Sequence, residues 1–205
     1  MKIKVNPTRQ ELLKIKKRLK TAKSGHRLLK EKLDGLMQEF LGNIKEAKQA
    51  REKLEERIPE MLFDFFSANN RIGERGVEGF INHLPFMDVD LSFYNVMGVR
   101  IRNIEAGNIE EVRESKISVD AVDYQLYKAK EDSLSIFENV LRYANLTIKI
   151  RLLAEEIEKT RRRVNSLEHI YIPEMERVKK YISQKLEERE RFDRTVVLKL
   201  KEMIR

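Results

Sequence analysis

The fold is decided by the stretch LLKIKKRLKTAKSGHRLLKEKLDGLMQEF, residues 12–40. With one histidine among them, the residues of its apolar face recur at steps of three and four: Leu12, Ile15, Leu19, Ala22, His26, Leu29, Leu33, Leu36 and Phe40. A second such series follows a Gly-rich, strand-like segment: Val119, Val122, Leu126, Ala129, Ser133, Ile136, Val140, Tyr143, Thr147, Ile150, Ala154 and Ile157. This spacing is typical of coiled-coil helices. The sequence therefore predicts a mainly α fold, a long antiparallel two-helix coiled coil with a small central β-hairpin.

Composition supports a rod and argues against a thick core. Charged residues make up 37% of the chain and aromatic residues 7%, and there is no cysteine. The missing cysteines exclude disulfides, redox dithiols and thiolate metal sites. No run approaches the roughly 18 to 20 apolar residues that cross a bilayer, and residues 1–7 are too short and polar for a secretory signal. We expect a cytoplasmic chain without direct membrane insertion.

The pattern divides the chain into three segments. Residues 1–66 form an N-terminal coiled-coil helix, residues 67–117 a central loop and hairpin region, and residues 118–205 a C-terminal coiled-coil helix. Pro7 suits the first turn of the first helix, and Thr8 with Glu11 has the capping-box spacing. After Phe40 the pattern shifts by one residue, which predicts a stutter, and resumes at Ile44, Ala47, Arg51, Leu54, Ile58, Met61 and Phe65.

The central segment alternates apolar and polar residues in two short runs. Val89, Leu91 and Phe93 alternate in the first run, and Val99 and Ile101 in the second. This pattern predicts a β-hairpin near residues 86–104, with its connection within residues 92–97. Because a lone hairpin is only marginally stable in water, it should pack on the coil or on a partner.

The C-terminal helix continues the seam through Val164, Tyr171, Met175, Val178 and Ile182. Pro173 lies inside it and should remove one backbone hydrogen bond and bend the helix. Arg161 and Glu168 fall at positions where the pattern expects apolar residues. Either they fix the register as buried polar groups, or the seam opens there.

The net charge of +8 is unevenly distributed. Residues 1–32 hold twelve basic and two acidic residues, residues 161–205 hold thirteen and eight, and the remainder holds seventeen and twenty-four. In an antiparallel coil the two chain ends would lie together and form one basic end. A complementary partner explains such a concentration better than a merely solvated face, which remains the alternative.

No catalytic constellation is recognisable. A phosphate-binding loop is absent, and His26, His83 and His169 lack a metal-ligand spacing, so we interpret His26 as a seam residue. Asp88 and Asp90 share a strand face that is solvated or, less plausibly, binds a cation. Arg161, Arg162 and Arg163 could attract phosphates, but the layout is not that of a bZIP protein. We predict no catalytic residue, cofactor, metal or nucleic-acid partner.

Several segments resemble one protein family across nearly the whole chain. They are residues 5–9 (VNPTR), 25–36 (GHRLLKEKLDGL), 95–101 (NVMGVRI), 163–173 (RVNSLEHIYIP), Tyr181 with Ile182, and 186–191 (LEERER). The order and content of these segments are similar to the D subunit of the archaeal A-type and V-type ATPases.

That resemblance implies a non-catalytic central rotor shaft in a complex that couples ATP hydrolysis or synthesis to ion transport. Its partners would be the hexamer of A and B subunits, the F subunit, and a socket subunit of C or d type on the membrane ring, with the chain peripheral to the membrane. We expect the hexamer to contact the basic end at Arg9, Arg161, Arg162, Arg163, Arg191 and Arg194. We expect the F subunit or the socket to contact the hairpin at Val89, Leu91, Phe93, Val99 and Ile101.

The best rival is a prefoldin-like chaperone, which also joins two coiled-coil helices through hairpin strands. A chaperone that holds clients should expose apolar residues at its helix tips, whereas the ends of this chain are rich in Lys and Arg. The sequence therefore favours the rotor shaft.

Overall fold

The computed structural model describes residues 6–115 and 124–204. In chain order the elements are α1 (Arg9–Ile72), α2 (Glu74–Asn82), β1 (Val89–Val96), β2 (Val99–Ala106), α3 (Ile109–Glu114), α4 (Tyr124–Ser166), a π-helix (Leu167–Tyr171) and α5 (Ile172–Met203). They form two compact units. The terminal unit combines residues up to Gly35 with residues from Ile157 onward, and the central unit comprises Leu36–Glu156.

The two helical strands of the terminal unit run antiparallel. Arg9 contacts Glu190 at 2.7 Å and Lys23 contacts Glu176 at 2.6 Å, so the partner number falls as the residue number rises. The core of this unit is a cluster of Ile15, Leu19, Met175 and Ile182, packed by Leu12, Ile172, Val178 and Leu186. Apolar burial along a narrow seam therefore holds this pair together.

The central unit pairs its helices in the same direction. Glu39 contacts Lys149 at 2.6 Å and Asp64 contacts Lys128 at 2.7 Å. Among the described residues of this unit, Ala47, Ala50 and Leu146 form one core cluster, and Ala68, Phe80 and Leu126 form another. The predicted fold class, mainly α with an antiparallel two-helix coiled coil and a small hairpin, is confirmed.

The start of α1 confirms the predicted Thr8 cap. The backbone N–H of Glu11 donates to Thr8 Oγ1 at 3.2 Å, which satisfies one of the free donors of the first turn. Pro7 precedes this cap, so it lies just outside the helix and not in its first turn.

The position of the predicted stutter in α1 was wrong. The seam continues without a shift from Phe40 through Asn43, which is only 5% exposed, whereas Ile44 is 39% exposed. Ala50 is likewise buried in place of the exposed Arg51. The two successive four-residue steps come later, from Ala50 through Leu54 to Ile58. A polar side chain can occupy the seam here because the Asn43 amide donates to the backbone carbonyl of Glu39.

The predicted seam of α4 is also shifted by one residue at alternate positions. Leu146 and Leu153 are buried where Thr147 and Ala154 were predicted. Thr160 is buried, whereas Arg161 and Glu168 are exposed, so neither charged residue lies in the seam. This rules out both interpretations of Arg161 and Glu168. Two further predicted seam positions, Val119 and Val122, lie outside the described residues.

A π-helix between α4 and α5 precedes Pro173. The backbone N–H of Ile172 donates to the carbonyl of Leu167, five residues back, and Pro173 follows with no N–H of its own. The wider turn of the π-helix accommodates one extra residue between α4 and α5. As a result Ile172 packs against the core cluster of the terminal unit, and the seam continues to Met175.

The hairpin pairs β1 with β2 in antiparallel register, from Val89 opposite Ala106 to Val96 opposite Val99. The connection is the two-residue turn Met97-Gly98, with φ of 50° and 86°. Positive φ at both residues matches a type I′ turn, whose twist suits a tight hairpin. The prediction of a hairpin is confirmed, but the predicted connection at residues 92–97 was wrong, because Ser92–Val96 belong to β1.

Among the described residues, no helix is long and apolar enough to cross a membrane.

Candidate functional site

The predicted hexamer contacts all fall in the terminal unit, and their side chains are exposed: Arg9, Arg161, Arg162, Arg163, Arg191 and Arg194. Arg9 and Arg194 approach the same carboxylate, Glu190, at 2.7 and 3.9 Å. Arg162 pairs with Glu158 one turn earlier in α4. Exposed pairs of this kind contribute little to stability, so these guanidinium groups stay available to a partner.

The end of α5 is an apolar surface that the sequence analysis missed. Phe192, Val197, Leu198 and Met203 are each more than half exposed. The reason is geometric: α1 begins at Arg9, beside Glu190, and supplies no described residue that covers α5 beyond that point. The Thr8 cap marked the end of the partner helix and was the available signal. We call this segment with the six arginines the terminal surface.

The hairpin divides the other five predicted contact residues into two groups. Val89, Leu91 and Phe93 on β1 are exposed, at 51%, 63% and 51%. Val99 and Ile101 on β2 are buried, and Ile101 has no exposed surface at all. The chain therefore uses Val99 and Ile101 internally, and we call the exposed side chains of Val89, Leu91 and Phe93 the hairpin surface.

The far edge of β2 is joined to α4 by a side-chain amide. Ile104 N–H donates to Asn145 Oδ1, and Asn145 Nδ2 donates back to the Ile104 carbonyl, both at 2.8 Å. The amide thus pairs with the strand as a neighbouring backbone would. At the base of the hairpin, Asn108 accepts from the Asp88 N–H and donates to the Phe86 carbonyl.

The chain is held to α4 a second time after α3. The ammonium of Lys130, only 6% exposed, donates to the carbonyls of Arg113 and Ser115 and to Ser115 Oγ at 3.0–3.1 Å. Burial lowers the pKa of Lys130 from its ordinary value. The Arg113 side chain also reaches Glu131 and Glu138 of α4. These contacts fix the hairpin surface relative to the helices of the central unit.

The polar groups considered for metal binding are dispersed. His26, predicted as a seam residue, is half-buried, with Nε2 3.3 Å from Glu168 Oε2. Asp88 and Asp90 are both exposed. In the parts of the chain described, no three His, Asp or Glu residues group closely enough to hold a metal ion.

Comparison with known proteins identifies the family. The family model for the D subunit of ATP synthase matches residues 11–202. The chain belongs to the ATP synthase D subunit family. This confirms the resemblance found in the sequence.

Relatives in the D subunit family match along most of their own length. The A-type ATP synthase D subunit of Methanopyrus kandleri is 40% identical, over 98% of this chain and 87% of the relative. The V-type ATP synthase D subunits of Acetivibrio thermocellus and Enterococcus faecalis are each 37% identical, over 98% of this chain and 92% and 97% of the relatives. This member of the D subunit family therefore corresponds to nearly the whole of these proteins.

This D subunit family chain thus carries two distinct exposed surfaces on a coiled-coil scaffold. In the terminal surface, Arg191 and Arg194 belong to the same uncovered helix end as the exposed apolar side chains of α5, whereas Arg161, Arg162 and Arg163 lie on α4. The hairpin surface is apolar and is anchored to α4 by Asn145. Both are suited to binding other proteins.

Proposed function

We propose that this chain is the non-catalytic central rotor shaft of a V/A-type ATPase or ATP synthase. In this role it couples ATP hydrolysis or synthesis in the hexamer of A and B subunits to rotation of a membrane ring and ion transport. The observation that carries the proposal is the match to the D subunit family over residues 11–202 of a chain whose helices pair antiparallel in both units.

The mechanism requires differential contact and no active site on the shaft. A near-threefold ring presents three interfaces, and a shaft without that symmetry touches each of them differently. Such contact biases each interface toward its open or closed state, because a binding partner shifts an equilibrium only through its unequal affinity for the two states. Rotation then changes which interface is favoured.

We assign the terminal surface to the A and B subunits. Its six arginines are exposed, and the end of α5 exposes apolar side chains beside Arg191 and Arg194. Aromatic and aliphatic anchors supply binding energy at protein interfaces, and surrounding charges set orientation and association rate. The combination suits a shaft that must enter a ring and keep a defined angle in it.

We assign the hairpin surface to the F subunit or to the socket subunit of C or d type. Val89, Leu91 and Phe93 support the assignment, because three apolar side chains on one small hairpin call for cover by a partner. We exclude Val99 and Ile101 from this contact surface, since they are already buried within the chain. The socket would hold the chain at the cytoplasmic face of the membrane, as a peripheral part of the complex.

The test is native mass spectrometry of complexes recovered with the tagged chain from its own cells. One copy of the chain with three A subunits, three B subunits and one F subunit is the expected result. Recovery of small coiled-coil subunits with unfolded clients, and without a nucleotide-binding hexamer, would overturn the shaft in favour of a prefoldin-like chaperone.

A further inference from the structure

The first strand of the hairpin has a free edge whose backbone groups can be identified. Ile104 directs its N–H and C=O away from β1, toward Asn145, so Ile104 and the opposite residue Leu91 form a non-hydrogen-bonded pair. Pair types alternate along an antiparallel ladder. The backbone groups of Val89, Leu91, Phe93 and Asn95 therefore point outward from β1. At the hairpin base, the Gly107 N–H donating to the Asp88 carbonyl fits the same alternation.

The two edges of the hairpin differ in how they are occupied. Asn145 binds the β2 edge, but within residues 6–115 and 124–204 no hydrogen bond outside the hairpin reaches the outward groups of β1. Natural proteins protect such edges with proline, lysine, bulges or cover. β1 contains neither proline nor lysine and pairs along its length without a bulge. Its edge is thus open to another strand.

The side chains beside this edge define the chemistry of what fits there. Val89, Leu91 and Phe93 lie on one face of the hairpin, and Arg100 and Arg102 of β2 share that face. The guanidinium of Arg100 lies over the Phe93 ring, with its carbon 4.4 Å from the ring centroid, so this cation of β2 reaches a side chain of β1. The register places Asp90 and Glu105 on the opposite face. The open-edge face is apolar and cationic.

A second copy of the chain is a poor occupant of this edge. Pairing β1 with β1 of another copy would bring two Arg100 guanidinium groups to the same face, and the hairpin offers no carboxylate on that face to balance them. Each of these guanidinium groups lies over Phe93 of its own β1, so the new strand pair would bring two like charges toward each other without a counter-charge, which is unfavourable. The favoured occupant is therefore a different chain with complementary charge.

We propose that the free edge of β1 binds an extended segment of a partner subunit by strand addition, forming a three-stranded sheet. The partner strand carries apolar residues at alternate positions, which cover Leu91 and Phe93, and a carboxylate beside Phe93 that pairs with Arg100. Backbone hydrogen bonds to Val89, Leu91, Phe93 and Asn95 supply the attachment, and the side chains supply the selection. The inference rests on the proposed function only in taking the hairpin as a partner-binding surface.

Residue-resolved hydrogen exchange of the full chain, alone and in the complex recovered from its own cells, tests the backbone pairing. In the isolated chain the amides of Leu91, Phe93 and Asn95 should exchange fast, while those of Ser92 and Tyr94 are protected by β2. In the complex the first three should become protected as well. Equally fast exchange of these three amides in the complex would overturn strand addition.

Two substitutions at Leu91 separate the contribution of its backbone N–H to binding from the contribution of its side chain. Leu91→Pro and Leu91→Ala both remove the leucine side chain, but only proline removes the outward N–H, and the hairpin itself does not use that N–H. Binding of the separately expressed F and socket subunits to each full-length variant is measured. For the subunit that occupies the edge, the proline variant should bind about tenfold more weakly than the alanine variant, the loss expected for one hydrogen bond. Equal affinities for both subunits would contradict the proposal.

Arg100 provides the test of charge. Arg100→Gln should weaken the same binding and reduce its dependence on salt, whereas Arg142→Gln, an exposed arginine of α4, serves as the matched control. Equal effects of the two substitutions would overturn the acidic partner strand. Protection of the isolated chain that rises with its own concentration would instead identify a second copy and overturn the hetero-partner.

The proposed function and this inference can fail separately. If the recovered complex lacks a nucleotide-binding hexamer but the three amides are protected, strand addition stands and the shaft is wrong. If the hexamer is present and the amides exchange freely, the shaft stands and strand addition is wrong.

Discussion

Asn145 and Ile104 are joined by two reciprocal hydrogen bonds of 2.8 Å, although they are 41 residues apart in the chain. One side chain on a helix thereby satisfies both backbone groups of a residue on a strand edge. This explains how a two-stranded hairpin, marginal by itself, keeps a fixed position on α4.

Replacing Asn145 with alanine should loosen the hairpin. The change leaves a donor and an acceptor of Ile104 without protein partners, and we expect a loss of about 1–3 kcal/mol in the free energy of unfolding. Urea denaturation measures it, and hydrogen exchange at the Ile104 amide locates it. Asn139→Ala is the matched control, because the Asn139 amide donates to the Ser135 carbonyl of its own helix. Equal losses in the two variants would refute the role given to Asn145.

Lys130→Met should weaken the attachment of Arg113 and Ser115 to α4 and so destabilise the fold. Methionine keeps the length of the side chain but leaves the Arg113 and Ser115 carbonyls and Ser115 Oγ without their donor, for which we expect about 2 kcal/mol. Thermal unfolding followed by circular dichroism gives the value. Lys128→Met, at an exposed lysine of α4 that pairs with Asp64 of α1, should have a clearly smaller effect. A larger effect at Lys128 would contradict the interpretation.

The pair of Glu39 and Lys149 predicts a specific dependence on pH. The hydrogen bond from Lys149, and then that from Asn43, lower the pKa of Glu39 below its ordinary value near 4.5. A carboxylate whose pKa falls on folding stabilises the folded state above its ordinary pKa, and this contribution disappears as pH falls through the lower, folded value. The stability advantage of the natural chain over Glu39→Gln should therefore be constant near neutrality and shrink below about pH 4.5.

Denaturant unfolding at a series of pH values measures this advantage. Glu60→Gln, at an exposed glutamate of α1, controls for the loss of one carboxylate. An advantage that grows as the pH falls would contradict the sign.

The same Gly→Ala change should have opposite effects at two positions. At Gly42, inside α1, an added Cβ meets no atom within 4 Å, so alanine should stabilise the helix by about 0.5–1 kcal/mol. At Gly76, in α2, the added Cβ would lie 2.0 Å from Ile72 Cγ2. Overpacking there should cost about 1–3 kcal/mol. Midpoints of urea unfolding decide the two signs, and a stabilised Gly76→Ala variant would show that α2 can shift away from Ile72.

Neutralising Arg161, Arg162 and Arg163 together should weaken the coupling of ATP hydrolysis to rotation in the assembled complex. Their guanidinium groups are exposed in the terminal unit, so the change should alter contacts with the hexamer and leave the fold intact. The ratio of ions transported to ATP hydrolysed measures coupling.

Arg151→Gln is the control for this triple change. Arg151 lies on the same helix, forms a similar pair with Glu155 and belongs to the central unit. Unchanged coupling in an intact complex with the triple change would remove these arginines from the proposed surface.

The sequence was sufficient for the two long helical segments, their antiparallel direction and the hairpin, because each depends on a repeated pattern. It did not predict the short helices α2 and α3, which lie where we expected a loop. From Leu12 to Phe40 the three-four spacing selects the correct residue even where two apolar neighbours compete, as with Leu29 and the exposed Leu28, and each of the selected positions is buried or half-buried. Beyond Phe40 two neighbours compete at several positions. Ile44 was preferred to Asn43 for its hydrophobicity, but the Asn43 amide bonds to its own helix and can be buried. On α4, Leu146 and Leu153 also fit a three-four spacing. They were the better choice because leucine is more apolar than Thr147 or Ala154.

The tertiary hydrogen bonds of the hairpin could not be predicted in the same way. Asn145 and Lys130 act through backbone groups of Ile104, Arg113 and Ser115, and backbone groups carry no sequence signal. Leu91 is exposed and Ile101 is buried because only one face of the hairpin packs against the helices. Alternation alone predicts two faces without saying which one is covered.

The π-helix at Leu167–Tyr171 has a consequence for changes in chain length. Because its wider turn absorbs one residue, loss of a single residue within it can convert the segment to ordinary α-helix while the core positions on both sides keep their neighbours. A one-residue deletion in α1 near Leu19 has no such outlet and would rotate every following side chain by about a quarter of a turn. The segment just before Pro173 is therefore where the helical segment from α4 to α5 best tolerates a one-residue difference between related chains.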